Sequence, residues 1–278
     1  MLLLTACLWS TGGVLIKWIT WHPLAIAGMR SAIAALFLWS VLRRPHFTWT
    51  AAQIGGGIAH AASVLLFVAA TKLTTAANAI VLVYTAPIYV ALGSAWFVHE
   101  PVRRYDWGVI ACVLGGMVFF FLDQLSFAGW WGNICAIAAG LAFAWLVLCL
   151  RQQQHDSSLE TVLLGNVLAG CAGLPFMVQT LPDLTSWFAL LLAGTLQIGL
   201  SFVLYSQAIK HVSAVEAVLI PAIEPLLNPL WVMLLLGETP GPWALLGGSM
   251  VIASITSRGI LASRHTTRTT CSQPPASG

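Results

Sequence analysis

The sequence predicts an all-α fold, a polytopic membrane protein of ten transmembrane helices arranged as two inverted five-helix repeats. Three observations lead to this prediction: the composition, a series of long apolar runs, and an internal repeat. The chain has 278 residues, of which 59% are hydrophobic and only 8% are charged. A soluble domain typically carries about 25% charged residues, because its surface faces water. Most of the surface of this protein is therefore expected to contact membrane lipid.

Apolar runs of membrane-spanning length alternate with short polar breaks from residue 2 to residue 261. A bilayer core of about 30 Å is crossed by about 20 helical residues. In lipid, a segment that does not belong to a closed barrel satisfies its backbone hydrogen bonds only as a helix. The predicted helices, numbered first to tenth, cover residues 2–19, 22–42, 51–71, 75–97, 105–122, 130–150, 158–179, 186–207, 212–236 and 241–261.

The internal repeat aligns residues 71–101 with residues 209–239 at an offset of 138. Each stretch begins with a polar turn, continues as an apolar helix with an internal proline, and ends at a glutamate. The matched pairs are Lys72 with Lys210, Thr75 with Ser213, Ala76 with Ala214, Ala79 with Ala217, Pro87 with Pro225 and Glu100 with Glu238. The shared turn, proline and glutamate together indicate a duplicated unit.

The orientation of the two units follows from the number of helices in each. Five is odd, so the second unit must enter the membrane from the face opposite to the first. An inverted repeat lets two exchanged conformations open one central site to opposite sides, which favours a transporter. We therefore expect two domains, residues 1–125 and 126–262, followed by a disordered cytoplasmic tail at 263–278, a segment rich in Thr, Ser, Arg and Pro.

The basic residues predict which side of the membrane holds the termini. If the N-terminus is inside, only Lys17 and Lys72 lie near the outer helix ends. Nine basic residues then lie in inner loops and the tail: Arg43, Arg44, Arg103, Arg104, Arg151, Lys210, Arg258, Arg264 and Arg268. Cytoplasmic loops carry such an excess of Lys and Arg. Both termini are therefore expected in the cytoplasm, and the start of the chain is expected to be a retained helix, since it has no basic leader region or A-x-A cleavage site.

Several segments resemble the EamA family of the drug/metabolite transporter superfamily. They are LWSTGGVLIKW and PLAIAGMR in the first two helices, TAPIYVALGSAWFVHEPV and PAIEPLLNPLWVMLLLGETP in the fourth and ninth, and WGVIACVLGGMV and WALLGGSMVIA in the fifth and tenth. The resemblance covers residues 1–261. It implies a permease or exporter of amino acids or other metabolites in a bacterial inner (plasma) membrane, and not an enzyme. A multidrug permease of the same fold is the alternative.

The prolines of the fourth and ninth helices are the candidate hinges. Each proline removes a backbone N–H and clashes with the carbonyl one turn earlier, so the helix is expected to kink and to leave carbonyls free. Irregular backbone is tolerated in a membrane where it is buried in protein or lines a cavity. The hinge candidates are Pro87, Pro221, Pro225 and Pro229.

Ionisable side chains inside the membrane are the first candidates for a substrate site, because burying them costs about 2.5–3.5 kcal/mol each. Glu224, with Asn228 one turn later, could carry a proton or meet a cationic group. His60 could bind substrate or titrate near neutrality. Arg30 could bind a carboxylate or pair with Glu224. Proton coupling through Glu224 or His60 and transport down the solute's own gradient both stay open at this point.

Aromatic and amide side chains in the predicted helices would suit a zwitterionic or amphiphilic solute. Ordinary helix packing explains each of them equally well when it is taken alone. The candidates are Trp9, Tyr84, Trp145, Tyr205 and Asn78.

The sequence lacks the motifs of ATP-driven pumps and of metal sites. There is no P-loop, no H-E-x-x-H and no Cys/His cluster, so we expect no cofactor and no metal site, and nothing points to nucleic acid. A membrane-embedded enzyme would need a clustered set of catalytic groups, and a channel would need a continuous polar stripe. The glycine-rich fifth and tenth helices are expected to form a scaffold or the contact of a homodimer.

Overall fold

The protein is helical throughout the part that the structure describes. A computed structural model describes residues 1–122, 125, 129–155, 158–179, 181–227 and 241–270, and this part of the chain contains no β-strand. The α-helices are α1 (Leu2–Ser10), α2 (Gly12–Trp18), α3 (Pro23–Leu42), α4 (Ala51–Leu73), α5 (Ala76–Val83), α6 (Ala86–Gly93), α7 (Arg104–Phe120), α8 (Trp130–Gln152), α9 (Ser158–Met177), α10 (Leu184–Leu192), α11 (Ser201–Ala208), α12 (Ala214–Leu219) and α13 (Pro242–Thr270).

Six helical segments in the described residues are long and apolar enough to cross a membrane. They correspond to the predicted second, third, fourth, sixth, seventh and eighth helices, so the chain is a polytopic membrane protein. The count of ten and the division into two domains stay predictions. The segments are Pro23–Leu42, Ala51–Leu73, Ala77–Val98, Trp130–Gln152, Ser158–Met177 and Leu184–Ala208.

The last helix includes part of the segment for which the sequence predicted a tail. Helix α13 runs from Pro242 to Thr270, so residues 263–270 have helical backbone. Residues 271–278 lie outside the described residues, and the disordered tail stays a prediction.

The repeated turn begins a helix in both halves of the chain. The Thr75 hydroxyl accepts a hydrogen bond from the amide of Asn78 at the start of α5, at 3.1 Å. The Ser213 hydroxyl accepts one from the amide of Glu216 at the start of α12, at 3.3 Å. A side-chain oxygen at this position satisfies one of the backbone donors that a helix leaves free at its N-terminus.

The predicted fourth and ninth helices are interrupted at matching places. Helix α5 ends at Val83, and α6 begins at Ala86 with Pro87 in its first turn. After α12, a 3₁₀ segment covers Ile220–Ile223, and residues 224–227 return to α-helix. The offset of 138 places the first interruption on the second, so the repeated proline, Pro87 or Pro225, follows directly after irregular backbone in both halves.

Three further irregularities were not predicted from the sequence. The first predicted helix divides at Thr11 into α1 and α2. Two π-helical segments follow α6 and α10, at Ser94–Val98 and Ala193–Leu200. A π segment widens a helix by one residue per turn and occurs often at functional sites.

Glycines allow close helix contacts between the two halves. A Cβ atom on Gly28 of α3 would lie 2.7 Å from the Cα of Gly173 in α9. A Cβ atom on Gly247 of α13 would lie 2.3 Å from the carbonyl oxygen of Gly116 in α7. The glycine faces of α7 and α13 therefore pack on each other within one chain, and the homodimer stays a prediction.

Candidate functional site

An aromatic cluster occupies the middle of the helix bundle. The ring of Trp9 lies 5.4 Å from the rings of both Phe202 and Tyr205, measured between centroids. His60 meets the edge of Phe202 at 4.8 Å. Three of the predicted site residues are thus brought together from α1, α4 and α11. We call Trp9, His60, Phe202 and Tyr205 the central cluster.

The position of Trp9 is fixed at the end of a π segment. The indole Nε1 donates to the Ser201 hydroxyl at 2.8 Å. That hydroxyl in turn donates toward the carbonyls of Gln197 and Ile198, at 2.6 and 2.9 Å. Both carbonyls belong to Ala193–Leu200, so the widened turn of this helix orients the tryptophan.

Two tyrosine hydroxyls reach carbonyls that prolines leave without a helical donor. Pro221 has no N–H for the carbonyl of Ala217, and Tyr205 donates to that carbonyl at 3.1 Å. Pro225 has none for the carbonyl of Pro221, and the Tyr84 hydroxyl lies 3.4 Å from it. The free carbonyls expected from the proline pattern therefore exist, and side chains from α11 and from the turn after α5 occupy them.

Glu224 lies directly after this irregular segment. Its Oε2 accepts a hydrogen bond from the Tyr84 hydroxyl at 2.6 Å. The described residues contain three ion pairs, and none of them includes Glu224. The carboxyl group therefore has a hydrogen-bond donor and no ionic partner among the described residues.

Arg30 is buried in α3 with 5% of its surface exposed, and its Nε has no hydrogen-bond partner in the part of the chain that the structure describes. None of the three ion pairs includes Arg30, so the expected alternative of an Arg30–Glu224 pair is not present. His60 Nε2 and Asn166 Oδ1 are also buried without partners among the same residues. These three groups lie on α3, α4 and α9, respectively.

Two predicted site residues lie away from the central cluster. Asn78 donates to Thr74 Oγ1 and to Asn133 Oδ1, at 3.2 and 3.1 Å, near the junction of α4 and α8. Trp145 packs on Phe97, with ring centroids 4.6 Å apart. It lines a separate cavity of about 170 Å³ that is formed by Ala51, Ala52, Phe97, Trp145, Leu148, Cys149 and Gln152.

The remaining predictions concern residues that the structure does not describe or roles that it does not test. Asn228 and Pro229 lie outside the described residues. Pro87, Pro221 and Pro225 lie at interrupted helices, and their function as hinges stays a prediction. No group of three or more His, Cys, Asp or Glu side chains that could hold a metal occurs within the described ranges.

Two residues of this region were not among the predicted site residues. Phe202 contacts His60, Trp9 and Tyr205, but a phenylalanine in an apolar helix carries no distinguishing sequence signal. Asn166 lies in the middle of α9 and is fully buried. An amide at the centre of a predicted membrane helix is a signal, although the sequence does not say which helix it faces.

Ion pairs join the two halves of the chain at one end of the bundle. Arg258 of α13 contacts Asp106 of α7 at 2.8 Å and Glu216 of α12 at 2.6 Å. Its side chain is only 7% exposed, and that of Asp106 is 4% exposed. Sequence reasoning treated Arg258 as a topology marker and did not identify these partners. We call Asp106, Glu216 and Arg258 the terminal network.

A third ion pair lies at the same end. Arg151, near the end of α8, contacts Glu100 at 2.5 Å, and it donates to the carbonyl of Ile209 at 2.6 Å. The other oxygen of Glu100 accepts from the amide of Ala214, the first residue of α12, at 2.8 Å. The start of α12 is therefore tied both to α13 and to the loop after the first interrupted helix.

Comparisons with known proteins agree with this arrangement. The chain is 25% identical over 259 residues to an uncharacterized transporter of Archaeoglobus fulgidus, with 91% of this chain and 93% of the relative covered. A protein solved by crystallography has the same fold, with a TM-score of 0.79, 17% identity, and coverage of 94% of this chain and 96% of the other. Residues 1–122 and 130–257 each match the EamA-like transporter family. The chain therefore belongs to the EamA-like transporter family, within the drug/metabolite transporter superfamily.

Proposed function

We propose that this EamA-family transporter is a secondary transporter that exports small organic metabolites such as amino acids across a bacterial inner membrane, by alternating access. One observation carries the proposal. Arg30, which is buried, and Glu224, which is partly buried, have opposite charges, and neither has an ionic partner among the described residues. Glu224 directly follows a 3₁₀ segment, and Tyr205 of the central cluster donates to Ala217 in the helix before that segment.

The pair of separate charges favours a zwitterionic solute. A buried ionisable group in a membrane is costly unless it is paired, by about 2.5–3.5 kcal/mol on insertion scales. A solute that carries both a carboxylate and an ammonium group offers a partner to Arg30 and to Glu224. The rings of Trp9, Phe202 and Tyr205 offer apolar surface to the rest of such a solute.

The helix contacts support the inverted repeat on which alternating access depends. Helix α4 packs on α8, and its counterpart in the second half, α11 with its preceding π segment, packs on α1. Likewise α4 packs on α9, and the π segment packs on α3. When the two halves are exchanged, the contact of α4 with α8 corresponds to that of α11 with α1, and the contact of α4 with α9 corresponds to that of the π segment with α3. A pseudo-two-fold axis in the membrane plane would relate the contacts in this way.

The terminal network supports a conformation that is closed at one end of the bundle. It joins both halves at the end of the bundle where the positive-inside bias places the cytoplasm. In the proposed cycle this conformation is closed to the cytoplasm, and opening on that side separates Arg258 from Asp106 or Glu216. Export then proceeds by alternating this state with one that is closed on the other side.

Proton coupling is proposed through Glu224 and Tyr84. When Glu224 is ionised, the Tyr84 hydroxyl donates its hydrogen to the carboxylate at 2.6 Å. When Glu224 is protonated, the carboxyl group donates instead, and the Tyr84 hydrogen is free to turn to the carbonyl of Pro221, 3.4 Å away. The protonation state would thus change a hydrogen bond to the irregular segment of the predicted ninth helix.

The test is solute counterflow in proteoliposomes that contain the full chain. The panel comprises radiolabelled amino acids, other small organic metabolites and cationic drugs, each assayed with and without a pH gradient. We expect saturable counterflow of at least one amino acid, stimulated by a pH gradient in the unchanged protein and not in Glu224→Gln. The matched control is Glu160→Gln, the same change in the first turn of α9.

The outcomes separate the parts of the proposal. If no panel solute moves while the protein remains folded, the amino acid proposal fails. If flux is the same with and without the gradient, and is unchanged in Glu224→Gln, proton coupling through Glu224 fails. Flux of cationic drugs without flux of amino acids would instead favour a multidrug permease of this fold.

A further inference from the structure

The unpartnered interior groups on α3, α4 and α9 carry an inference about the chemical class of the substrate. We propose that Arg30, assisted by His60, binds a carboxylate group of the solute, so that the protein carries organic acids or amino acids and rejects plain amines. This inference rests on the proposed transport function and adds a recognition element to it. The residues concerned are Arg30, His60 and Asn166, each at most 5% exposed.

Arg30 needs an anion that the described residues do not supply. A guanidinium group keeps its positive charge at every pH at which proteins are folded. An isolated buried charge is strongly unfavourable, and buried charges in proteins are paired or coordinated. Since no carboxylate in the described part of the chain forms an ion pair with Arg30, a solute carboxylate would fill this requirement. The planar fork of arginine matches the two oxygens of that group.

Close helix contacts on two sides fix the position of Arg30. Two residues earlier, Gly28 lies against Gly173 of α9, where an added Cβ would come within 2.7 Å of backbone. On the other side, a Cβ atom on Gly194 would lie 2.9 Å from the carbonyl oxygen of Arg30 itself. The backbone that carries the guanidinium is therefore held between α9 and the π segment, which limits where the charge can move.

His60 and Asn166 form the adjoining part of the same region. Gly165 lies so close to His60 that an added Cβ would be 2.6 Å from the histidine Cβ. Asn166 donates its amide hydrogen to the Val162 carbonyl at 3.0 Å, and its Oδ1 is an acceptor without a partner among the described residues. The side chain of Asn166 faces the imidazole, and Arg30 lies near enough to the ring to act on it through its charge. Asn166 is thus a positioning residue for the ring, and His60 supplies a second N–H donor.

The aromatic neighbours indicate where the remainder of the solute lies. His60 meets the edge of Phe202, which contacts Trp9 and Tyr205 in turn. A solute whose carboxylate is at Arg30 therefore has an apolar surface beside it. Recognition of a carboxylate at a buried arginine is selective, because a solute without that group leaves the charge unpaired.

The first experiment uses the unchanged protein in detergent. The probes are L-phenylalanine and L-leucine, each compared with its primary amide and with the amine formed by removing its carboxyl group. Ligand-dependent thermal stabilisation and inhibition of counterflow are both measured. We expect saturable stabilisation by at least one of the two amino acids, and at least about tenfold weaker binding of its amide and its amine, the loss of one charge-assisted contact.

Variants then assign the selectivity to these residues. Arg30→Gln is expected to weaken binding of the amino acid by at least about tenfold and to leave the amide unaffected, with Arg30→Lys intermediate. Asn166→Ala is expected to reduce the preference for acid over amide, a readout that a packing role alone would not change. The matched control is Arg104→Gln, because Arg104 is exposed at the start of α7.

The results that overturn the inference are distinct from those that overturn transport. The carboxylate site is ruled out if acid, amide and amine bind equally well. It is also ruled out if Arg30→Gln leaves the preference for the acid unchanged, or if neither amino acid stabilises the protein. Counterflow of amines alone would also rule out the carboxylate site, but the protein would still be shown to transport a solute. If the amino acid stabilises the protein, Arg30→Gln abolishes this stabilisation, and no solute is transported, the binding site is supported and the transport proposal fails.

Discussion

Tyr205 shows how one side chain makes a proline tolerable inside a buried helix. The proline leaves a carbonyl without its helical donor, and an unsatisfied carbonyl in an apolar interior costs about 1–3 kcal/mol. The hydroxyl of Tyr205 donates to that carbonyl, on Ala217, at 3.1 Å. The same side chain is fully buried and forms part of the central cluster. It therefore contributes both to the ring contacts of the site and to the integrity of the 3₁₀ segment.

Replacing Tyr205 by phenylalanine should lower stability while keeping the ring contacts. The Ala217 carbonyl would lose its donor, so we expect the free energy of unfolding to fall by about 1–3 kcal/mol. Thermal or denaturant unfolding in detergent measures the change. Tyr89→Phe is the matched control, since its hydroxyl lies 3.5 Å from Thr85 Oγ1, at the limit of a hydrogen bond. An equal effect of both substitutions would contradict the account.

At this scale the sequence indicates polar residues inside predicted helices, but it does not indicate their partners. Glu224 and His60 were identified because polar groups are rare in membrane helices, and that signal is local. Their contacts with Tyr84 and Phe202 join residues far apart in the chain. Such contacts depend on how helices pack, and a single sequence taken by itself does not contain that information.

The crossing of α3 and α9 depends on two glycines that face each other. Added Cβ atoms would approach to 2.7 Å from the Cα of Gly173 and to 2.6 Å from the Cα of Gly28. Both obstacles are backbone atoms, which cannot rotate away as a flexible side chain can. Small residues at helix contacts in membranes bring backbones close enough for van der Waals contact to hold the helices together.

Gly28→Ala should therefore separate α3 from α9 and destabilise the protein. Overpacking a close contact costs about 1–3 kcal/mol, and we expect a loss of that size in the free energy of unfolding in detergent. Gly108→Ala in α7 is the control, because nothing lies within 4 Å of its added Cβ. Alanine is the better helix former, so the control should be neutral or slightly stabilising, by less than about 1 kcal/mol. A neutral Gly28→Ala would refute the close-contact interpretation.

The positions of the helices could be predicted where they depend on the length of apolar runs. Irregular segments that depend on how helices pack could not be predicted. The six membrane-capable segments agree with predicted runs because apolar length is written in the sequence. The interruptions near Pro87 and at Pro221 also follow from local chemistry, the missing N–H. The π segment Ala193–Leu200 contains no proline, and nothing local distinguishes it from an ordinary helix.

For the whole molecule, the basic residues have two roles: they predict the orientation in the membrane, and some of them form ion pairs between helices. The basic residues predict orientation, because their count on each side is sufficient for that purpose. The structure adds that Arg151 and Arg258, two of those residues, are ion-paired across the two halves of the chain. The partners of Arg258 lie on α7 and α12, so a single side chain couples three helices. No counting of charges could have found that coupling, since it depends on the packed arrangement.

Arg258→Gln should release this coupling, because removing one partner of a buried ion pair leaves the other charges unpaired. We expect a loss of about 3 kcal/mol in the free energy of unfolding and a shift towards a state open at this end. Faster labelling of buried Cys149 by a membrane-impermeant maleimide would report the opening, since Cys149 lies near the same end of α8. Arg104→Gln, an exposed arginine, is the control. Neutralising Asp106 and Glu216 together with Arg258 should recover part of the stability. If labelling stays at the unchanged rate while stability falls, the terminal network is structural and does not hold this end closed.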